Sequence, residues 1–196
     1  MSDKPVNRGP FLLLVALFFG PMVVAMWLYF GTDIRPSGQT HHGHLLEPVR
    51  PLPADTQWRL PQGEIANDLE GDLWTLLQFV PSPCEDACQN DLYRSRQVWL
   101  ALDRRRTRVQ RIAVVADAEE ARALAAIAAD ADPNLKLRIV DEADPLRAFL
   151  RDPAHGPGTF YVIDPIGNWV LWYDRETDLR DIHTDFKKLL RLSKIG

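Results

Sequence analysis

Two cysteines four positions apart are the residues of this 196-residue chain whose chemistry is easiest to anticipate. Cys84 and Cys88 are its only cysteines, and they follow an apolar run, Trp74 to Val80, that is typical of a buried strand. If the residues after Pro83 enter a helix, positions i and i+4 lie on one helical face. Two thiols placed in this way can share a metal ion or close a disulfide with little backbone movement.

The composition is that of one globular domain of ordinary core size with an appendage. Hydrophobic residues make up 46% of the chain and charged residues 26%, and the formal net charge is -4. Phosphate binding normally needs a basic surface, so nucleic acid is not the expected partner. The sequence shows no phosphate loop, serine-nucleophile motif or zinc-finger spacing.

An uncharged apolar segment from Phe11 to Phe30 is long enough to cross a bilayer as one helix. Lys4 and Arg8 precede it, so the positive-inside rule places residues 1–10 in the cytoplasm and the rest of the chain outside. A cleaved signal peptide is the competing interpretation, but the run is longer than the usual apolar region of such a peptide. The expected product is a single-pass inner-membrane protein whose domain faces the periplasm, where disulfides form and persist.

Residues 31–56 are rich in Gly, Pro, Ser and Thr, and this composition predicts a flexible linker between the anchor and the domain. The linker contains three closely spaced histidines, His41, His42 and His44. Such a cluster can bind copper or zinc, but a His-rich tract beside a membrane is more often solvated. No cysteine or carboxylate stands at a ligand spacing nearby, which favours the solvated interpretation.

Strand and helix patterns alternate in the predicted domain, residues 57–196. The expected strands are Trp74 to Val80, Val109 to Ala116, Leu135 to Val140, Thr159 to Asp164 and Trp169 to Tyr173. The expected helices are Asp91 to Arg105, Ala118 to Ala131, Pro145 to Leu150 and Thr177 to Leu192. This order, with the cysteines between the first strand and the first helix, predicts a thioredoxin-like α/β fold: a central mixed sheet flanked by helices.

The segment FVPSPCEDAC, residues 79–88, resembles the F-x-x-T-x-C-P-D-x-C signature of the Sco/SenC family of cytochrome oxidase assembly proteins. The matching residues are Phe79, Cys84, Asp86 and Cys88, with Ser82 a conservative match and Glu85 in place of the usual proline. The segment FYVIDPIG, residues 160–167, is similar to the Y-L-I-D-P-x-G hairpin of that family. The anchor, the domain size and the order of elements agree with the resemblance.

The resemblance implies a membrane-anchored factor that binds Cu(I) and helps to build the copper centre of a respiratory oxidase, as copper donor or as thiol reductant. The implied ligands are Cys84, Cys88 and His155, although the family position of the histidine falls on Gly156. Cu(I) prefers soft thiolates and low coordination numbers, which such a set provides. The implied partners are the copper-binding subunit of the cytochrome oxidase or other assembly factors.

Three functions therefore stay open from the sequence. They are the assembly factor just described, a periplasmic thiol-disulfide oxidoreductase that uses Cys84 and Cys88 without metal, and a redox-silent docking module of the assembly machinery. The three-residue spacer differs from the C-x-x-C of thioredoxins, which favours metal transfer or a narrow reductase role. A purely stabilising disulfide is disfavoured, because closing so short a loop removes little entropy from the unfolded chain.

Overall fold

Three parallel strands form the centre of an eight-stranded sheet and support the cysteine pair. They are β4 (Trp74–Phe79), β5 (Val109–Val115) and β6 (Leu135–Ile139), paired in register from Trp74 opposite Val109 onward. β4 and β5 are mostly apolar because both faces of the sheet are covered, whereas β6 (LKLRI) alternates apolar and basic residues. The three strands predicted at these positions are thus confirmed.

The structure is a computed structural model that describes residues 8–31, 41–66, 69, 72–150 and 155–193. The chain divides into two units, Met1–Thr40 and His41–Gly196. The sequence predictions also cover residues that lie outside the described ones: residues 1–7 of the cytoplasmic segment, residues 32–40 of the linker, and residues 67, 68, 70, 71, 151–154 and 194–196 of the domain.

The remaining elements complete a mixed sheet flanked by helices, which confirms the predicted thioredoxin-like class. The sheet order is β1-β8-β7-β4-β5-β6-β2-β3, and every pair outside the parallel core is antiparallel. The other strands are β1 (His44–Pro51), β2 (Trp58–Arg59), β3 (Ile65–Ala66), β7 (Phe160–Ile163) and β8 (Asn168–Tyr173). The helices of the domain are α2 (Asp86–Ala101), a 3₁₀ helix (Asp103–Arg108), α3 (Ala118–Ala131), α4 (Pro145–Leu150) and α5 (Leu179–Leu192).

The hydrophobic core lies on both faces of the sheet. Leu76 belongs to a cluster between the sheet and helices α2 and α5, which includes Phe186. Its neighbour Leu77 belongs to a second cluster with Leu150 of α4, because successive side chains of a strand point to opposite faces. A third cluster joins α2, α3 and the sheet, and it contains Cys88. One cysteine of the pair is therefore part of the core.

The N-terminal unit contains helix α1, Gly9–Gly31, which includes the predicted span Phe11 to Phe30. Among the residues that the structure describes, it is the one helix long and apolar enough to cross a membrane. At 1.5 Å per residue it is roughly 34 Å long, which exceeds the hydrocarbon thickness of a bilayer. A signal sequence near the N-terminus would meet the same criteria of length and composition.

The predicted linker of residues 31–56 is wrong in its second half. The folded unit starts at His41, and β1 extends the sheet by pairing with β8, with His44 opposite Trp172. The prediction failed because β1 is an edge strand with mostly exposed side chains and two prolines, so it has no apolar pattern. Its pairing comes from the open edge of β8, which the local sequence does not reveal.

A buried carboxylate fixes the start of the folded unit. Asp185 of α5 is 2% exposed and accepts hydrogen bonds from the backbone N–H groups of His42 (2.7 Å) and Gly43 (3.1 Å). The Tyr173 hydroxyl lies 3.3 Å from the same carboxylate oxygen, and the His42 ring lies 3.1 Å from the other. Burial, with Asp185 beside it, raises the pKa of Tyr173, so its hydroxyl stays a donor. The histidine tract is therefore partly built into the domain.

Strand register places the start of β1 at the cysteine end of the sheet. His44 pairs with Trp172, which pairs with Tyr161 of β7. Tyr161 pairs with Leu77, two residues before β4 ends. His44 is thus about 14 Å, or three strand spacings, from β4 and at the end of the sheet where the chain turns toward the cysteines.

We expect Asp185→Ala to lower the free energy of unfolding by about 3 kcal/mol, because it leaves buried N–H and hydroxyl donors without an acceptor. Urea unfolding of the full chain in detergent, followed by tryptophan fluorescence, measures this loss. The matched control is His42→Ala: the His42 side chain is 43% exposed and its backbone N–H remains, so its loss is under about 1 kcal/mol. Equal losses in the two variants would contradict this account of Asp185.

Candidate functional site

The two cysteines form a disulfide at the start of α2. The Cα atoms of Cys84 and Cys88 are 5.2 Å apart and their sulfurs are bonded. Helix α2 begins at Asp86, five residues before the predicted start, with Glu85 as an extended N-cap residue. Cys84 therefore precedes the helix and Cys88 lies in its first turn, so the two do not stack on one helical face as the spacing alone suggested. The pair is close because the chain turns into the helix between them.

The two cysteine residues differ in burial. Cys84 is half-buried at the loop, whereas Cys88 is 4% exposed and packs with Val80 and Leu92 in the core. A partner can therefore reach Cys84 but not Cys88. The N-terminus of α2 has no side-chain cap, so its free N–H groups favour negative charge nearby. Asp86 in the first turn opposes that effect.

His155 lies in an aromatic pocket. Its Nδ1 atom is 2.8 Å from the carbonyl oxygen of Leu150. Its ring centroid is 4.1 Å from that of Trp172, 5.5 Å from Trp169 and 5.6 Å from Tyr161. The half-buried ring is therefore held by the end of α4 and by β7 and β8, and it is not an exposed loop side chain. Residues 151–154, which include the start of the predicted loop, lie outside the described residues.

The structure does not bring His155 together with the two cysteines as a three-ligand site. In the described ranges, no group of three or more His, Cys, Asp or Glu residues is arranged to hold a metal ion. Two histidines of the predicted linker contact other residues. His44 stacks on Trp172 with 3.9 Å between ring centroids, and His42 contacts Asp181 and Asp185. Copper binding by Cys84, Cys88 and His155 thus stays a prediction.

A groove with a volume of about 510 Å³ opens beside the loop that leads to Cys84. One rim is residues 79–82, the other is residues 155–159, and Tyr161 lies between them. The charged lining residues are Glu120, Glu142 and Arg147. Arg147 is buried; its Nη1 atom is 2.9 Å from a carboxylate oxygen of Glu142, and its guanidinium lies 5.1 Å from the Phe79 ring. The groove is therefore lined by more apolar than polar surface, with three charged side chains in its lining.

Buried charges attach α2 to the rest of the domain. Arg111, 1% exposed in β5, donates to the Leu92 carbonyl (2.9 Å) and the Ser95 hydroxyl (2.8 Å) of α2. Its other nitrogen lies 2.6 Å from an oxygen of Asp132, the C-cap of α3. Burial lowers the pKa of Arg111, and the negative Asp132 opposes that shift. One side chain inside an apolar strand thus joins α2, α3 and the sheet.

A second ion pair joins α2 to the turn after β8. Asp91, 4% exposed, accepts hydrogen bonds from Arg175 at 2.5 Å (Nη2) and 3.1 Å (Nε). These bonds raise the pKa of Arg175. Arg94 adds a hydrogen bond to the Thr177 carbonyl at 2.6 Å. The helix that carries Cys88 is therefore fixed at both its buried face and its edge.

Sequence reasoning missed several residues around the cysteines. Asp91 was predicted only as the first residue of a helix, although its spacing of three from Cys88 could have placed it beside that residue. Arg175 carries no local signal, because its partner Asp91 is 84 residues away, and Arg147 gives none because its Glu142 partner lies in a loop before a short helix. Trp172 lies in the predicted strand Trp169 to Tyr173, and the structure adds its contacts with two histidines.

Several solved structures share this fold. The copper-bound ScoI protein of Arabidopsis thaliana is 14% identical, with a TM-score of 0.57, over 70% of this chain and 97% of that one. The apo Sco1 protein of Thermus thermophilus is 22% identical, with a TM-score of 0.56, over 78% and 99% of the two chains. A thiol:disulfide interchange protein from Bacteroides sp. is 16% identical, with a TM-score of 0.54, over 74% and 91%. The predicted resemblance to Sco proteins is confirmed at the level of the fold.

The family comparison agrees with the two-part organisation. Comparison with curated proteins finds no match. Residues 74–193, from β4 to the end of α5, match the family described as "Transmembrane-like, thioredoxin-like, C-terminal domain". That range is more than half of the chain and contains the cysteine pair, the groove and both ion pairs that attach α2. The chain belongs to this transmembrane-like, thioredoxin-like family.

Proposed function

We propose that this protein is a membrane-anchored thiol-disulfide exchange factor that acts in the assembly of a respiratory cytochrome oxidase. The observation that carries the proposal is the unequal burial of the two disulfide-bonded cysteines. Cys84, before α2, is half-buried and reachable, whereas Cys88, in the first turn of α2, is buried. A stabilising bridge gains little from so short a loop, whereas exchange needs one accessible sulfur and one protected sulfur close by.

The exchange divides the work between the two cysteines. In the reduced protein the thiolate of Cys84 attacks one sulfur of a partner disulfide, and the other partner sulfur leaves as a thiolate. The thiol of Cys88, after loss of its proton, then attacks Cys84 in the mixed disulfide. The partner departs as a dithiol, two electrons have passed to it, and the Cys84–Cys88 disulfide seen in the structure is the product. A dithiol protein must reduce the pair before the next cycle.

The groove beside Cys84 supplies the place for the partner. Its rims are residues 79–82 and 155–159, and the apolar part of its lining suits the side chains that flank a cysteine in an extended peptide. His155 lines the same groove, with its ring fixed by Leu150 and the tryptophans of β8. We propose that the partner chain lies here while its disulfide meets Cys84.

The cellular setting follows from the anchor and from the family resemblance. Helix α1 would hold the protein in the inner membrane as a single-pass protein with the domain in the periplasm, where exposed cysteines oxidise. The Sco-like signature around Cys84 and Cys88 favours, as partner, the copper-binding subunit of the oxidase or another assembly factor, whose cysteines must be reduced before they bind copper.

We expect Cys88→Ser to accumulate a mixed disulfide and Cys84→Ser to accumulate almost none. In the first variant the reachable sulfur attacks and nothing resolves the product, whereas in the second the remaining sulfur is buried. Each reduced variant is incubated with a dodecapeptide that contains an internal disulfide, samples are quenched at intervals with N-ethylmaleimide, which traps the freed peptide thiol before it can re-form that disulfide, and intact mass measures the adduct. The adduct should form at least about tenfold faster with Cys88→Ser. Equal rates, or no adduct with either variant, would refute the division of roles.

A second candidate function is Cu(I) capture by the reduced pair with His155 as third ligand. The favouring observation is that His155 and Ser82, two residues before Cys84, line the same groove. In the disulfide the two sulfurs cannot act as thiolate ligands, so Cu(I) capture needs the reduced pair; the Nδ1 contact of His155 with the Leu150 carbonyl leaves its Nε2 atom as the nitrogen that would ligate. The exchange mechanism has no step through copper, which would be cargo of the reduced protein.

The copper candidate requires that His155→Ala weaken Cu(I) binding by at least about tenfold, the loss typical even of residues that only orient a metal ligand. The reduced full-length protein is titrated with Cu(I) against bicinchoninate. His183→Ala on α5 is the matched control, because His183 does not line the groove. Unchanged affinity in His155→Ala would remove that residue from the ligand set, and no binding at all would remove the candidate.

A further inference from the structure

The loop that forms the second rim of the groove rests on the ion pair between α2 and the turn after β8. A Cβ atom on Gly158 would lie 2.5 Å from Arg175 Nε and 2.6 Å from Asp91 Oδ2, so only a glycine leaves room there. Gly158 also has a φ of +83°, which L side chains rarely adopt. The backbone of the loop therefore contacts the charged pair without an intervening side chain.

The same pair is attached to the cysteine helix. Asp91 follows Cys88 by three positions in α2, and residues at this spacing lie side by side on a helix. Both are 4% exposed, so both face the interior. Arg175 reaches Asp91 from the far side with two nitrogens, a planar geometry that fixes direction as well as distance.

Apolar packing alone would hold these elements together equally well. The ion pair between buried Asp91 and Arg175, whose side chain is 34% exposed, only offsets the hydration that the carboxylate loses. Its advantage is directional: the fork of Arg175 allows one arrangement of Asp91 and leaves one space for Gly158. We infer that Asp91 and Arg175 are positioning residues, an inference that rests on the proposed exchange function. They hold the 155–159 rim at the height that a partner peptide needs to present its disulfide to Cys84.

The test compares a disulfide that needs the groove with one that does not. The groove probe is the dodecapeptide with an internal disulfide, and the small probe is hydroxyethyl disulfide. We expect Arg175→Met and Asp91→Asn to lower the rate with the peptide by about tenfold, since a shift of the rim by a fraction of an ångström misaligns the reacting sulfurs. The rate with hydroxyethyl disulfide should stay within about twofold, because this probe does not contact the rim.

Two further variants separate positioning from general loss of stability. The double variant Asp91→Asn/Arg175→Met should lose no more than either single variant, because the two residues act through one contact. Gly158→Ala should reproduce the selective loss without changing any charge, because its Cβ atom displaces the rim. Arg180→Met is the matched control: Arg180 is exposed, five residues further along, and both probes should react with it as with the wild type.

The outcomes distinguish this inference from the function on which it rests. Selective loss with the peptide, shared by the single variants and absent from Arg180→Met, supports the inference. Equal loss with both probes, or no loss with either, overturns it while leaving the exchange function in place. If the wild-type protein reacts with neither probe, the exchange function itself is refuted.

Discussion

The position of α2 on the sheet is the constraint on which the proposed chemistry depends. Cys88 lies in the first turn of this helix and Cys84 just before it, so any shift of α2 moves both sulfurs relative to the groove. Apolar contacts hold the helix in part, but its orientation is fixed by buried charge. Arg111 holds its inner face to β5, and Asp91 connects its edge to the turn after β8.

Charged anchors inside a core are costly unless each polar atom finds a partner, and here the partners come from separate elements. Arg111 is paired with the C-cap of α3, and Asp91 with the start of the segment that leads into α5. Asp185 fixes the first residues of the folded unit to α5 in the same way. Directional contacts of this kind specify one arrangement of helices around the cysteine pair more sharply than apolar packing does.

The site therefore combines a protected sulfur, an accessible sulfur and a groove whose rims are fixed. This combination suits exchange with a defined partner better than general oxidoreduction, because the groove restricts which disulfides reach Cys84. His155 contributes to the groove in this structure through its position among aromatic rings. Its Nδ1 contact with the Leu150 carbonyl leaves Nε2 as the nitrogen that would face a metal.

Much of this architecture was predictable from the sequence where the signals are local. Strands β4 and β5 are mostly apolar, the last helix has a clear apolar stripe, and the cysteine spacing is visible directly. Strand β1 was not predictable, because an exposed edge strand with two prolines has no apolar alternation and depends on β8.

The polar contacts could not be predicted from the sequence for a different reason. Arg111 in a strand and Asp91 in a helix have partners 21 and 84 residues away, so only the assembled fold brings each pair together. The helix start at Asp86 was placed too late because the first turn is polar and exposed apart from Cys88.

The reduction potential of the Cys84–Cys88 pair tests the central claim most directly. Full-length protein in detergent is equilibrated at pH 7 with dithiothreitol or glutathione buffers, and the oxidised fraction is measured by mass after alkylation. An exchange pair should have a potential of about -270 to -180 mV, the range of thioredoxin and protein disulfide isomerase. A potential below about -300 mV, as in structural disulfides, would contradict the account.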